Sequence, residues 1–221
     1  MSDIYLAVSI LFLLALFFVR LGVWNARREK WAIVGVFGCL LALLLFSVFI
    51  HGNAWIARAL PFSNAIVLSN CLPLGASFLA GNVLGNLKIA AWRRWLVAFV
   101  VMTASWYSVL SIVWPQSFPT ANYFRDGVCI QSSQVSCAAG AAVTLLDHHG
   151  IDTTESEMAS LCLTGRNGTH SLGIYRGLKI KAAKSKLEVV FVNSALEKLT
   201  RLNLPLLTSI SLPSTEETDI W

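Results

Sequence analysis

Gln131-Ser132-Ser133-Gln134-Val135-Ser136-Cys137-Ala138-Ala139-Gly140-Ala141-Ala142-Val143-Thr144-Leu145-Leu146-Asp147-His148-His149-Gly150 is the stretch whose reading organises the chain. A short polar loop ends at Ser136-Cys137, and a run of small helix formers follows. Leu145, Leu146 and the helix-ending Gly150 complete a helix of about three turns. Cys137 then stands at a helix N-terminus, where the dipole favours the thiolate, the nucleophilic form of the side chain. Gln131, upstream of it, is placed to donate an amide N–H to an oxyanion near that sulfur. The small residues behind Cys137 let the helix lie close against a neighbouring sheet. A competing reading stands beside this one: a lone cysteine in an alanine-rich helix is commonly a small buried hydrophobe.

The surroundings of this stretch are apolar beyond the range of an ordinary soluble domain. The chain has 221 residues, 56% of them hydrophobic and only 13% charged, which points to membrane spans. Four apolar runs cover residues 4–24, 31–50, 62–84 and 95–114, each near the ~20 residues that cross a bilayer. The third is the weakest, carrying Asn64, Asn70 and Pro73. Its asparagines either line a pathway or hydrogen-bond to neighbouring helices, and small polar residues commonly serve the second purpose. No Asp, Glu, Lys or His sits mid-span, which argues against an ion-coupled carrier. A signal peptide is the rival reading of the first run, but no basic residue precedes it and no small-residue cleavage site follows.

Basic residues gather in the first and third connections: Arg27, Arg28 and Lys30, then Lys88, Arg93 and Arg94. The positive-inside rule makes those loops cytoplasmic, so the N-terminus and everything after Trp114 lie outside. Tryptophans 24, 31, 55, 92, 95 and 114 fall near the span ends, as an interfacial belt requires. The net charge of +5 belongs to this half and reads as topology; no aromatic-interleaved basic stripe marks a nucleic-acid partner. The domain reading is a transmembrane region at 1–115, a linker at 116–126 and a second domain at 127–221. In that domain Thr154 with Glu157 caps a short helix through Leu163. Residues 171–186 read as a helix with a basic face. Residues 187–192 and 204–212 read as strands, with a short helix capped by Ser194 between them. The five cysteines fit no zinc pattern, and no cofactor or metal site is indicated. Cys129 and Cys162 are candidates for a disulfide only in an oxidising compartment.

The Gln-Ser-Ser-x-x-Ser-Cys arrangement that ends at Cys137 resembles the active-site segment of the papain-like cysteine peptidases that process bacteriocins, the double-glycine leader peptidases. Gly150-Ile151, residues 155–161, Thr164, Gly168-Thr169 and Leu172-Gly173-Ile174 resemble the continuation of that family, so the likeness covers about residues 125–212. One departure is visible: many members have Cys-Gly-Pro-Ala where this chain has Cys137-Ala138-Ala139-Gly140, a swap that keeps the residues small. The resemblance implies a papain-like α+β domain in which Cys137 is the nucleophile and Gln131 lines the oxyanion hole. It implies thiol-dependent cleavage of a peptide or leader sequence, with a peptide substrate and the lipid bilayer as partners.

Such a peptidase needs a histidine within reach of the cysteine, held by Asp or Asn. The available histidines are His51, His148, His149 and His170. His51 lies at a membrane edge, and His148 and His149 sit at the far end of the Cys137 helix. His170 is the remaining candidate, although it does not match the family position. The expectation is therefore four transmembrane helices followed by a papain-like domain incomplete at its C-terminus. It sits in a bacterial cytoplasmic membrane with that domain extracytoplasmic, and its cleavage is impaired by the missing His and Asp. A membrane-tethered, non-catalytic peptide-binding or sensor module is the alternative. A small membrane protein with an unrelated soluble tail is a third reading. No Walker motif is present, so an ATP-driven transporter is not encoded.

Overall fold

The structure is a computed structural model that describes residues 2–50, 54–114, 122–183, 185, 187–192, 201 and 204–208. The described part is mostly helical, with one small antiparallel sheet. Among the described residues four helical stretches are long and apolar enough to cross a membrane: Asp3–Ala26, Trp31–Phe49, Ala65–Gly85 and Ala91–Val113. They comprise α1 (Ser2–Ala26), α2 (Glu29–Leu45) with a π-helical end at Phe46–Ile50, the pair α4 (Ala65–Leu68) and α5 (Leu72–Gly85), and α6 (Ala91–Val113). A short α3 (Ala54–Ala59) precedes α4. The third stretch is interrupted where Pro73 opens α5. A proline has no N–H to give the preceding turn and is tolerated only in the first turn of a helix.

Helix α5 is the centre of this bundle. Its Gly75, Ala76, Ser77, Phe78, Gly81, Asn82 and Gly85 are buried, whereas Leu13, Phe17, Ile33, Phe37 and Phe99 on the other helices are more than half exposed. That inversion, with small residues inside and large apolar ones outside, is how helices pack when the surrounding solvent is hydrocarbon. Helices α1 and α5 run parallel, since Gly22 faces Gly81 and Phe78 while Val23 and Ala26 face Gly85. A Cβ on Gly22 or Gly81 would fall 2.1 Å from a backbone oxygen of the other helix, so only glycine permits this approach. Asn25 Nδ2 donates to Asn82 Oδ1 across the seam at 2.8 Å, and Asn70 Nδ2 donates to Ser108 Oγ at 2.9 Å. The second bond uses one of the third-span asparagines for helix packing.

Parallel α1 and α5 place both basic connections, 27–30 and 86–90, at one end of the bundle. Arg28 stacks over Trp24 there, 3.8 Å from the ring centroid. The second half of the chain docks at the opposite end. It contains β1 (Tyr123–Arg125), β2 (Val128–Ile130), α7 (Cys137–His148), α8 (Glu155–Leu161) and α9 (Ser171–Ala182). One apolar cluster bridges the two halves: Ile4, Leu11, Ile66 and Val109 of the bundle pack with Leu163 and Leu172. A second cluster, with Val143, Leu146, Met158, Cys162 and Leu178, belongs to the second half alone.

Arg176 of α9 ties the halves together. Its guanidinium donates to the carbonyls of Ser63 and Leu161 and, at 3.0 Å, to the Asp3 carboxylate. Its side chain is only 4% exposed.

Several local expectations change. Residues 123–130 form a hairpin, turned by Asp126-Gly127, both at positive φ. Asp-Gly is a favoured pair for such a turn. Helix α9 stops at Ala182 instead of reaching Lys186. The strands expected at 187–192 and 204–212 are corrected: residues 187–192 and 204–208 join no ladder among the described residues. Branched side chains favour a pleated surface, but a strand also needs a neighbouring edge to bond. The helix expected after Ser194, and residues 209–212, lie outside the described residues.

Candidate active site

The site begins at the hairpin. Strand β2 hands the chain to Gln131, a tight polar turn follows, and α7 starts at Cys137. The turn closes on Ser136, whose buried hydroxyl accepts from the Ser133 N–H and donates to the Ser133 carbonyl, at 3.1 and 2.9 Å. Gly140 N–H then donates to the Ser136 carbonyl at 2.9 Å, the first bond of the helix. Ala139, Gly140, Ala142, Val143 and Leu146 face the core. Cys137 faces outward and is exposed, the only one of the five free thiols in that class. The reading of Cys137 as a buried packing residue therefore fails.

Gln131 is brought to the same end of α7. A Cβ on Gly140 would lie 3.8 Å from the Cα and Cβ of Gln131 and 3.4 Å from the Cys129 carbonyl. Gly140 lies in the first turn of α7, less than one turn along the helix from Cys137, so Gln131 passes that end of the helix. The approach is pinned on both sides. Cys129 N–H donates to Thr144 Oγ1 at 2.9 Å, and Thr144 returns its proton to the Gly140 carbonyl at 3.0 Å. On the other side the Ser132 N–H donates to both carboxylate oxygens of Glu155, at 2.9 and 3.2 Å. Glu155 was missed by sequence reasoning. As the first residue of a helix after a threonine cap it looks like any dipole-complementing acid.

The expected cap of α8 is present: Thr154 Oγ1 accepts from Glu157 N–H at 3.1 Å. The Glu157 carboxylate, however, turns to the Thr153 hydroxyl and to Lys181, at 3.0 and 2.8 Å. The Lys181 hydrogen bond, opposed by partial burial and helped by Thr153, holds Glu157 below its ordinary value. Lys181 is thus a partner of α8 and not a free solvated charge.

The other thiols of this half are built differently. Cys129 and Cys162 are buried and unbridged. Burial raises the Cys129 thiol, helped by the charges of Glu155 and Asp147. Burial pushes Cys162 up to about 12, against the opposing pull of Arg176. Neither thiol has the environment of a nucleophile.

None of the three described histidines is placed beside Cys137 by a contact. His148 is the last residue of α7, about 16 Å from its start at 1.5 Å per residue. It stacks edge-on with His149, their ring centroids 5.6 Å apart. His170 caps α9 through Nδ1, which accepts from Leu172 N–H at 3.2 Å. It lines a cavity of about 310 Å³ with Ile66, Ser111, Asn167 and Thr169, where Cys137 takes no part. His51 lies outside the described residues. A larger cavity of about 630 Å³ lies between α7, α9 and residues 187–192 and 204–208. Its lining is mainly apolar, with Leu145, Ile174, Leu178, Val189 and Phe191. Among the described residues no three His, Cys, Asp or Glu side chains gather as a metal site.

Residues 126–212 match the Peptidase C39 family, which supports a C39-family peptidase domain in that stretch. No curated protein matches the chain. No solved structure matches it either.

Proposed function

We propose that this chain is a membrane-anchored cysteine peptidase-like protein that acts on a peptide or leader sequence. The observation that carries the reading is the exposed Cys137 thiol at the first position of α7 within the C39-family stretch, with Gln131 crossing the same end of that helix. In the proposed step the Cys137 sulfur bonds to the scissile carbonyl carbon, and the carbonyl π electrons move onto oxygen. The Gln131 side-chain amide donates to that oxyanion. Collapse breaks the C–N bond, and the leaving amine takes the proton that the thiol gave up. Water then hydrolyses the thioester and returns the thiol.

The location proposed is the bacterial cytoplasmic membrane, with the peptidase-like domain extracytoplasmic. Two facts support it. The basic connections share one end of the bundle, and the domain docks at the other. The positive-inside rule assigns the basic end to the cytoplasm.

A second reading is favoured by one observation: among the described residues no histidine is given a hydrogen bond to Cys137, the arrangement that would take the thiol proton. On that reading the domain binds peptides without turning them over. One experiment separates the two. The full chain in detergent is incubated with a synthetic peptide containing a Gly-Gly bond, and fragments and binding are followed by mass spectrometry and fluorescence anisotropy. Fragments that vanish in Cys137→Ser support the peptidase. Binding without fragments supports the binding module. Neither binding nor fragments overturns both.

A further inference from the structure

We propose that Glu155 is a positioning residue for the Cys137 site: its buried carboxylate holds the peptide that joins Gln131 to Ser132, and so aims Gln131 at the oxyanion. The inference rests on the peptidase-like reading and extends it to a residue outside the Gln-Ser-Ser-x-x-Ser-Cys segment. Glu155 is 1% exposed, and among the described residues no Lys, Arg or His pairs with it. A buried carboxylate without a counter-charge lowers stability, and any neutral acceptor would satisfy one N–H at less cost. Both oxygens nevertheless converge on the single Ser132 N–H, at 2.9 and 3.2 Å. A charged acceptor makes a shorter and stiffer bond than a neutral one.

The carboxylate is itself fixed from behind. Glu155 N–H donates to Asn122 Oδ1 at 2.8 Å, while Asn122 Nδ2 donates to the Thr153 carbonyl at 2.8 Å. Asn122 thus clamps the start of α8, the first side chain of α8 clamps Ser132, and Gln131 is the next residue. None of these hydrogen bonds involves the thiol. Glu155 therefore acts only on steps that need the oxyanion donor in place.

Two electrophiles read that distinction on the full chain. Iodoacetamide alkylates Cys137 with no oxyanion formed. A Gly-Gly-ended peptide aldehyde adds the thiol across its C=O: the C–S bond forms, the π bond breaks, and the oxygen takes the thiol proton. The oxygen of that adduct sits where the oxyanion donor reaches. Glu155→Ala is expected to weaken aldehyde binding by about 10- to 100-fold, the cost of a misplaced catalytic group. It is expected to leave the iodoacetamide rate within about twofold, because the sulfur itself has not moved. Glu155→Gln keeps an amide oxygen for Ser132 and restores most of the affinity. Thr154→Ala, which removes the neighbouring cap and no bond to the loop, changes neither probe.

If Glu155→Ala does not fold, Asn122→Ala carries the test and must lower aldehyde affinity alone. The inference is overturned if Glu155→Ala or Asn122→Ala binds aldehyde normally. It is also overturned if both probes fall together, or if Thr154→Ala loses aldehyde as well. A parent chain that takes iodoacetamide at Cys137 but no aldehyde rejects the peptidase-like reading and this inference with it. A parent chain that binds aldehyde, with Glu155→Ala unchanged, rejects this inference alone.

Discussion

Replacing Arg176 by alanine should loosen α9 from α8 and from the bundle by about 3 kcal/mol. The guanidinium is 4% exposed and serves three acceptors: the Ser63 carbonyl at 2.7 Å, the Leu161 carbonyl, and Asp3 at 3.0 Å. Breaking a buried, hydrogen-bonded charge pair by removing one partner costs about 3–5 kcal/mol. Asp3 keeps 28% of its side chain exposed, so water recovers part of its solvation and the lower end applies. The assay uses Cys162, which is fully buried, adjoins Leu161 and lies against α9; a Cβ on Gly177 would fall 2.3 Å from its sulfur. With the other four cysteines replaced, a maleimide reaches Cys162 only when α8 and α9 part. Opening made easier by about 3 kcal/mol raises the labelling rate about 100-fold. Arg176→Lys keeps the charge but loses the three-way fork, and should raise the rate by about tenfold. A rate for Arg176→Ala within about threefold of the parent would refute the tether.

Other consequences are independent of that one. Gly22→Ala sets a methyl 2.1 Å from the Phe78 carbonyl oxygen; the overpacked seam should lose about 1–3 kcal/mol in detergent unfolding, and an unchanged midpoint would contradict the parallel α1–α5 seam. The Glu157–Lys181 contact should be pH-dependent. Because the folded carboxyl is held below its ordinary value of 4.5, its stabilisation is present above that value and is lost as pH falls through the lowered one. The difference in thermal midpoint between the parent and Glu157→Gln should be constant at neutral pH and close towards zero in acid. In the folded chain a polar maleimide should label Cys137 at least about 100-fold faster than Cys129 or Cys162, as mapped by peptide mass spectrometry; comparable rates would mean that α7 does not present its first residue to solvent.

What the sequence disclosed follows the range of the forces involved. The four apolar stretches, the helix beginning at Cys137 and the Thr154 cap rest on composition or on residues a few positions apart, and all appear in the structure. The Asp126-Gly127 hairpin is equally local, but its strands of three residues each are too short for an alternating pattern to show. Contacts between distant positions left no local trace. Nothing local sets Arg176 apart from the other bases of its helix, yet its partner Asp3 is 173 positions away. Glu155 could not be told from an ordinary first-turn acid until Ser132 was seen beneath it. Gly22 and Gly81 were visible only as small residues, since a close approach is a property of two helices and not of either one. The branched residues at 187–192 made the opposite error: their local preference suggested strands, and no described neighbour supplies an edge.

Attack of the Cys137 sulfur on a peptide acyl group leaves a covalent acyl form that can be trapped. The full chain is mixed with a Gly-Gly-ended peptide p-nitrophenyl ester and quenched in acid within seconds, and the intact mass and its site are read. One acyl group is expected on Cys137, with p-nitrophenolate released, and none on Cys129 or Cys162. An unmodified Cys137, or acylation spread evenly over the cysteines, would contradict it.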